Sequence, residues 1–404
     1  MTWRDDELQT RFDVLGNTLR KNQHFWRAPA FTSLQLPWES AEPALAKTLR
    51  ALTLAEAEML AGNQAKLANF LQPWLDAAKT IIADTAVASI DAQTLPKLPE
   101  PYGVPGRKWQ QIQAFAACMP PSVSPVLEWC AGKAHLSRLL ARQSGCTATA
   151  LEWNVDLVEQ GNVLTQREQL PVTLHCADVL QPSTANFLQR DQQVVALHAC
   201  GDLHIQLLRY CSERKPNSVI LAPCCYQLIA ADRHQPLSHH ARVNDLELAR
   251  TDLFTAVLGT VTSSSREQRL RKKLQQWRLG FDLLQREVRG IDEYIPTPST
   301  PLSVLNRSFE SFCRELARNK NLELPSNIDF PFFEAAGIER QCEVTALDLP
   351  RFLFRRALEL WLMLDRAMFL QESGYRVEVG EFCEYRLTPR NMVIRGRAEV
   401  DFAT

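Results

Sequence analysis

The sequence predicts an α/β fold: a Rossmann-like, doubly wound parallel sheet closed by a C-terminal antiparallel hairpin. Three observations predict it. Five short apolar runs recur between residues 126 and 226, each bounded by turn or helix residues. Each run carries its polar residues at its C-terminal end, the edge where such sheets bind ligands. The first run, Val126-Leu-Glu-Trp-Cys-Ala-Gly-Lys-Ala-His-Leu-Ser137, turns through small residues into a helix that continues to Arg142. A strand turning sharply into a helix gathers free backbone N–H groups and the positive helix end at one spot. Small residues there let an anionic or nucleotide-like ligand approach the backbone. Gly132 is the single glycine of the turn, and Cys130 and Ala134 stand where a glycine-rich dinucleotide loop carries two more.

Twenty residues beyond Gly132, the run Thr147-Ala-Thr-Ala-Leu-Glu152 ends in an acid. That spacing suits a carboxylate accepting hydrogen bonds from both ribose hydroxyls of an adenosyl group. The remaining runs are Val172-Thr-Leu-His-Cys-Ala-Asp178, Gln193-Val-Val-Ala-Leu-His-Ala-Cys-Gly-Asp202 and Ser218-Val-Ile-Leu-Ala-Pro-Cys-Cys-Tyr226. A lone acid at a strand end is ordinarily just solvated. Glu128, Glu152, Asp178 and Asp202 all falling at one edge point to a site.

Taken in order, residues 1–95 read as a helical N-terminal domain. Ala41–Asn69 is rich in Ala, Leu, Glu and Lys with leucines at helical spacing, and Pro73 opens a further segment, Trp74–Ile90. Phe25, Trp26, Phe31, Trp38, Phe70 and Trp74 read as its core, not as a base-stacking surface. The Pro- and Gly-rich stretch 96–106 is a stiff linker. Arg107–Cys118 is a helix leading into the nucleotide-binding core, 107–226. Residues 227–349 are an insertion of the kind that selects substrates. Within it, Arg266–Arg278 carries six basic residues and one acid beside an apolar stripe of Leu270, Leu274 and Trp277. Its outer face is either solvated or phosphate-contacting, with Arg269, Lys272 and Lys273 as candidate substrate contacts. Pro296–Pro301 is a surface turn and Leu302–Asn319 a further helix. Residues 350–404 complete the sheet through a helix, Pro350–Ser373, and two alternating strands, Tyr375–Val379 and Met392–Arg395.

Glu128-Trp-Cys-Ala-Gly-Lys-Ala-His-Leu-Ser137, His198-Ala-Cys-Gly-Asp-Leu203, Pro223-Cys-Cys-Tyr226 and Pro236-Leu-Ser238 resemble a family of class I S-adenosylmethionine-dependent methyltransferase domains. That family includes ribosomal-RNA-adenine-dimethylase-like proteins and the C-terminal half of a glutathione-transferase-C-terminal-domain-containing protein. Arg356–Tyr375 and Leu387-Thr-Pro-Arg-Asn391 also match. The chain is similar, more distantly, to the transfer-RNA acceptor-stem 2′-O-methyltransferases. The resemblance covers roughly residues 105–238 and 350–396.

It implies S-adenosylmethionine as cofactor. Glu128 and the Cys130-Ala131-Gly132 backbone would face its methionine part, and Glu152, followed by Trp153, its ribose. Asp178 would meet the adenine amine, with Val179 against the ring. Arg107 and Lys108 sit where the family has a basic helix that helps close the pocket, though solvated surface charge is the favoured reading of them. His198 and Asp202 would lie beside the sulfonium and the acceptor; Asp202 is the first candidate for orienting or deprotonating the acceptor and His198 the second. A helix N-cap for Asp202 and a core role for His198 are the alternatives. For Pro223-Cys-Cys-Tyr226 the favoured reading has Cys224 and Cys225 on the pocket floor and Tyr226 shaping the acceptor site. A nucleophilic cysteine and a zinc set of Cys200, Cys224, Cys225 and His198 are less favoured, since adjacent cysteines and the lack of a Cys-x-x-Cys pair argue against zinc.

Composition narrows the classes. The chain has 404 residues, 46% hydrophobic and 23% charged, which suits a folded globular protein of two or three domains. A net charge of −1 supplies no global pull toward nucleic acid, so an RNA partner must be held by a local patch. Eleven cysteines without framework spacing fit a reducing, cytoplasmic setting, and no structural metal is expected. Phe352–Leu370 is interrupted by Arg355, Arg356, Glu359, Asp365 and Arg366, so it reads as a core helix and no membrane association is expected. Transfer or ribosomal RNA is the expected acceptor. A protein or small-molecule acceptor is the alternative, and a non-catalytic binding module the next.

Overall fold

Eight strands form one sheet in the order β1-β7-β8-β6-β5-β2-β3-β4. They are β1 (Trp3–Arg4), β2 (Val126–Trp129), β3 (Ala148–Glu152), β4 (Val172–Cys176), β5 (Gln193–Cys200), β6 (Ser218–Cys224), β7 (Tyr375–Glu381) and β8 (Met392–Ala398). Strands β2 to β6 pair in parallel, and β8 runs antiparallel between β6 and β7. β6 is buried along its whole length, as a strand covered on both faces should be. β4, at the edge, exposes Thr173 and His175. The order reverses between β2 and β5, so the crevice at the C-terminal ends of these two strands is the switch point. The computed structural model describes residues 2–94, 104–120, 122–259 and 264–399. Most of the expected linker therefore lies outside the described residues.

The chain divides into two units: 1–20, 83–257 and 356–404 in one, 21–82 and 258–355 in the other. Both cuts differ from the expected boundaries. The first residues belong with the sheet, because β1 pairs antiparallel with β7 and Phe12, on the helix Asp5–Lys21, stacks on Trp361 at 4.8 Å. Residues 227–257 also stay with the sheet: Asp365, buried on the helix Leu349–Glu372, accepts the backbone N–H of Leu237 (3.0 Å) and of Ser238 (2.8 Å).

In the second unit the expected N-terminal helices and the expected insertion share one fold. The predicted Ala41–Asn69 helix is three short ones, Pro43–Arg50, Leu54–Ala61 and Gln64–Leu71. Thr53 and Glu56 form a reciprocal capping box that restarts the chain at the second of these. The helices Pro43–Arg50 and Leu54–Ala61 pack on the helix Phe330–Leu347, and Arg50 binds Glu39 (2.5 Å) and Glu343 (2.9 Å). The helix Ser265–Arg289 lies along Phe330–Leu347 with Gly280 facing Gly337; a Cβ on Gly337 would strike Gln276 and Gly280 backbone. Trp277, Phe281, Phe309, Phe312 and Phe333 fill the core beside them. Phe25, Trp26 and Trp38 are buried, as core residues should be. Among the described residues no helix is long and apolar enough to cross a membrane.

Candidate active site

The turn after β2 keeps the backbone that its sequence makes costly. Cys130, Gly132 and Ala134 have φ of 57°, 59° and 53°, so three alternate positions are left-handed although two carry a Cβ. A left-handed non-glycine residue costs on the order of 1–2 kcal/mol. The surroundings hold the turn there. Glu152, at the end of β3, accepts the Gly132 N–H at 2.9 Å through one oxygen and the Asn154 N–H at 3.0 Å through the other. The Ala131 N–H donates to the Leu151 carbonyl at 2.9 Å. Each Glu152 oxygen retains acceptor capacity beyond these bonds.

Glu128 is clasped from the helix His135–Ser144. Its Oε2 accepts from the Ser137 N–H (2.9 Å) and hydroxyl (2.6 Å), and burial raises the carboxyl to about 7. These bonds occupy one of its two carboxylate oxygens and fasten the turn to the helix. Burial pushes the Cys130 thiol up to about 12, and the charges of Glu152, Cys200, Glu128 and Asp178 add to the push. Asp178 is exposed and accepts from the Leu180 N–H at 3.0 Å, Val179 beside it is buried, and Trp153 stands 76% exposed at the end of β3. An indole so bare beside Glu152 offers a flat face for stacking.

The ends of β5 and β6 carry different chemistry. His198 has φ 65° and sits where the β5–β6 register shifts, between Leu197 and Ala199. Gln111, on the helix Gly106–Ala117, donates its amide to the Leu387 carbonyl at 3.1 Å, which turns its oxygen toward His198 Nε2 at 3.1 Å. His198 Nε2 is thereby assigned as the N–H, leaving Nδ1 as the proton acceptor. Burial lowers the imidazole to about 4, so it is neutral at neutral pH.

Next to it, Cys200 Sγ lies 3.3 Å from Cys224 Sγ, and Cys225, at φ 47°, brings its sulfur into the same group. Hydrogen bonds from Cys200 and Cys224 hold the Cys225 thiol far below its ordinary range, with the Arg390 charge assisting. Cys224, the cysteine after proline, is buried against Cys200 with its thiol raised, which removes it as an attacking nucleophile.

Two sequence candidates lie differently from expectation. Tyr226 is 1% exposed and its ring packs against the Arg366 guanidinium (5.3 Å) and His204 (5.9 Å), so it faces the core and not an acceptor. Arg366 is buried among His204, His234 and Asp365, and holding that charge is what draws the phenol inward. Asp202 opens the helix Asp202–Arg214, and its Oδ2 accepts the Ala230 N–H at 2.7 Å, tying down the loop after β6. Gly201 beneath has φ 50°, and a Cβ there would collide with the Leu228 carbonyl.

Arg269, Lys272 and Lys273 belong to the second unit. They line a pocket of about 190 Å³ with Gln276, Trp277 and Glu334, where Lys272 pairs with Glu58 at 2.6 Å and Lys273 lies over Trp277. Gln111 and Arg390 were not singled out from sequence. The Leu387–Asn391 motif held the signal for Arg390, whereas nothing local marks Gln111. A cavity of about 630 Å³ opens at the opposite edge, by the starts of β2 and β5, but Gln93, Gln143, Gln193 and apolar residues line much of it and no titratable carboxylate or imidazole does.

The strand order, with one reversed strand inserted beside the last parallel one, is that of a Rossmann-like methyltransferase sheet. Residues 107–232 match a family model described as a methyltransferase domain. Among solved structures, the chain is similar to a precorrin-6y C5,15-methyltransferase from Geobacter metallireducens, at 15% identity over 34% of this chain and 71% of that one, TM-score 0.25. A similar likeness joins it to an rRNA methylase from Streptococcus thermophilus (8% identity, 31% and 73% covered, TM-score 0.23). The 23S rRNA methyltransferase ErmE matches at 17% identity over 28% of this chain, and the chain spans 44% of that protein, TM-score 0.23.

Proposed function

We propose that the protein is an S-adenosylmethionine-dependent methyltransferase that acts on RNA. The observation that carries the first part is the left-handed turn at Cys130, Gly132 and Ala134, fastened by Glu152 beside the bare Trp153. The non-catalytic reading arose from Cys130 and Ala134 replacing glycines, and it weakens once both residues keep the glycine backbone. When bound, S-adenosylmethionine supplies an electrophilic methyl group. Glu152 and Asp178 would hold its ribose and adenine amine, Trp153 the adenine face, and the turn its methionine part. His198 Nδ1 would accept the acceptor's proton, with Gln111 fixing the tautomer, and Asp202 would position the loop beyond β6. Arg390, which donates to the Val257 carbonyl, would meet an anionic group of the acceptor.

RNA as acceptor rests on the family resemblance and the basic helix, where Arg266 and Arg269 have no ion-pair partner among the described residues. A small-molecule or protein acceptor is favoured by one observation: Arg271 and Lys272 of that helix are already neutralised by Glu267 (2.7 Å) and Glu58.

Isothermal titration with S-adenosylmethionine tests the pocket: Glu152→Ala should lose at least tenfold in affinity, and wild-type affinity refutes the assignment. Incubating the protein with a radiolabelled methyl donor and total RNA or total protein tests the acceptor. Label in RNA, with binding that falls steeply with salt, supports the reading; label in protein alone overturns its RNA half. A kcat that stays flat from about pH 5 to 8 is expected of His198, whereas an inflection near 6.5 that His198→Ala removes would contradict its assigned protonation.

A further inference from the structure

We propose that Cys200, Cys224 and Cys225 form a three-thiolate site for a soft d10 cation, tested here as zinc, with one coordination position open. The three sulfurs lie within 4.8 Å of one another, and Cys200 and Cys224 are 3.3 Å apart. A zinc–sulfur bond of about 2.3 Å places the sulfurs of a tetrahedral site about 3.8 Å apart, so small adjustments suffice. A disulfide would need about 2.05 Å.

The backbone shows what assembles the group. In an extended strand, Cys224 and Cys225 would point to opposite faces. The left-handed Cys225 cancels that alternation and turns both sulfurs inward. On β5, the register shift at His198, also left-handed, brings Cys200 level with Cys224. Gly201, left-handed again, follows directly. Strained backbone concentrated on one cluster marks a functional constraint.

Three thiolates around a dication leave one negative charge, and Arg390 is the cation near Cys225. Cys200 and Cys225 are half-buried and Cys224 buried, so the site is sheltered yet reachable. Three protein ligands with an open fourth position characterise zinc that binds an exogenous group. Metal binding would displace the thiol protons to solvent. Nothing in this site depends on the methyl-donor assignment.

The test uses the full chain, reduced, stripped with chelator and kept anaerobic, then titrated with cobalt(II). One equivalent should give thiolate-to-cobalt charge transfer and the intense d–d bands of tetrahedral coordination, and zinc should abolish both. Cys225→Ser and, separately, Cys200→Ser should weaken binding at least tenfold, while Cys342→Ser, in the other unit, should leave it unchanged. Circular dichroism checks that each variant is folded. The proposal is overturned by the absence of these bands at one equivalent, by bands that survive in both folded variants, or by a Cys200–Cys224 disulfide in the anaerobic protein. Donor binding measured on the same sample separates the two readings: cobalt bands without donor binding would sink only the methyltransferase proposal.

Discussion

The two halves of the strand edge meet at the switch point and are built on opposite terms. On the β2–β3–β4 side, carboxylates accept hydrogen bonds from backbone N–H groups, and a strained turn is held by them. On the β5–β6 side the positive-φ residues, His198, Gly201 and Cys225, carry or adjoin the chemistry themselves. One half uses its polar groups to shape backbone, and the other uses backbone to aim its polar groups. The first is thus suited to holding an invariant group, and the second to contacting whatever reacts.

The comparison breaks most visibly at Gly201. Gly201→Ala should destabilise the chain by about 3 kcal/mol or more, because the new Cβ meets the Leu228 backbone and the residue is left-handed. Thermal unfolding measures it, and a near-neutral result would mean the loop after β6 is free to move. The carboxylate side is sharpened by Glu128→Gln. Glu128 sits at about 7 folded and about 4.3 unfolded, so the folded state holds the extra proton between those values. Its contribution to stability is complete below about pH 4.3 and lost as pH rises through 7. The variant should therefore be more stable than the parent by up to about 4 kcal/mol at pH 8, with most of the gap closed by about pH 4.5. An equal gap at both pH values would show that the charge is not what matters.

Trp153→Ala should cost about tenfold in donor affinity with no change in unfolding temperature, since the indole is 76% exposed. A loss of stability instead would make it a packing residue. The smallest effect is expected from Ala134→Gly. Relief of left-handed strain offset by added chain entropy leaves a gain below about 1 kcal/mol. A loss would mean that the Ala134 methyl, fully buried, matters more to packing than its backbone costs.

Much of the sheet was legible because β2 to β6 are apolar runs ending in polar residues, and the hairpin because its strands alternate. β1 was not, since two residues leave no period. The division of the chain into units was hidden for another reason: helices before residue 82 find their partner near residue 340, and pairing over that distance leaves no local trace. Within the site, the acids at strand ends could be read from position. The inward turn of Tyr226 could not, because it answers to Arg366, some 140 residues later in the chain. The sulfur group could be read only as a less favoured zinc set, because the left-handed Cys225 that brings adjacent cysteines together has no residue-type signature; cysteine is not among the residues that favour that conformation.

The placement of β8 has a consequence for how the protein is made. Its residues 392–398 slot between β6 and β7, so the outer rim of β6 has no neighbour until those residues have left the ribosome. Ser218 to Arg397 is the longest wait in the sheet outside β1. A nascent chain with an uncovered central strand is sticky, and expression at low temperature or with a holdase chaperone should raise the yield of dispersed protein.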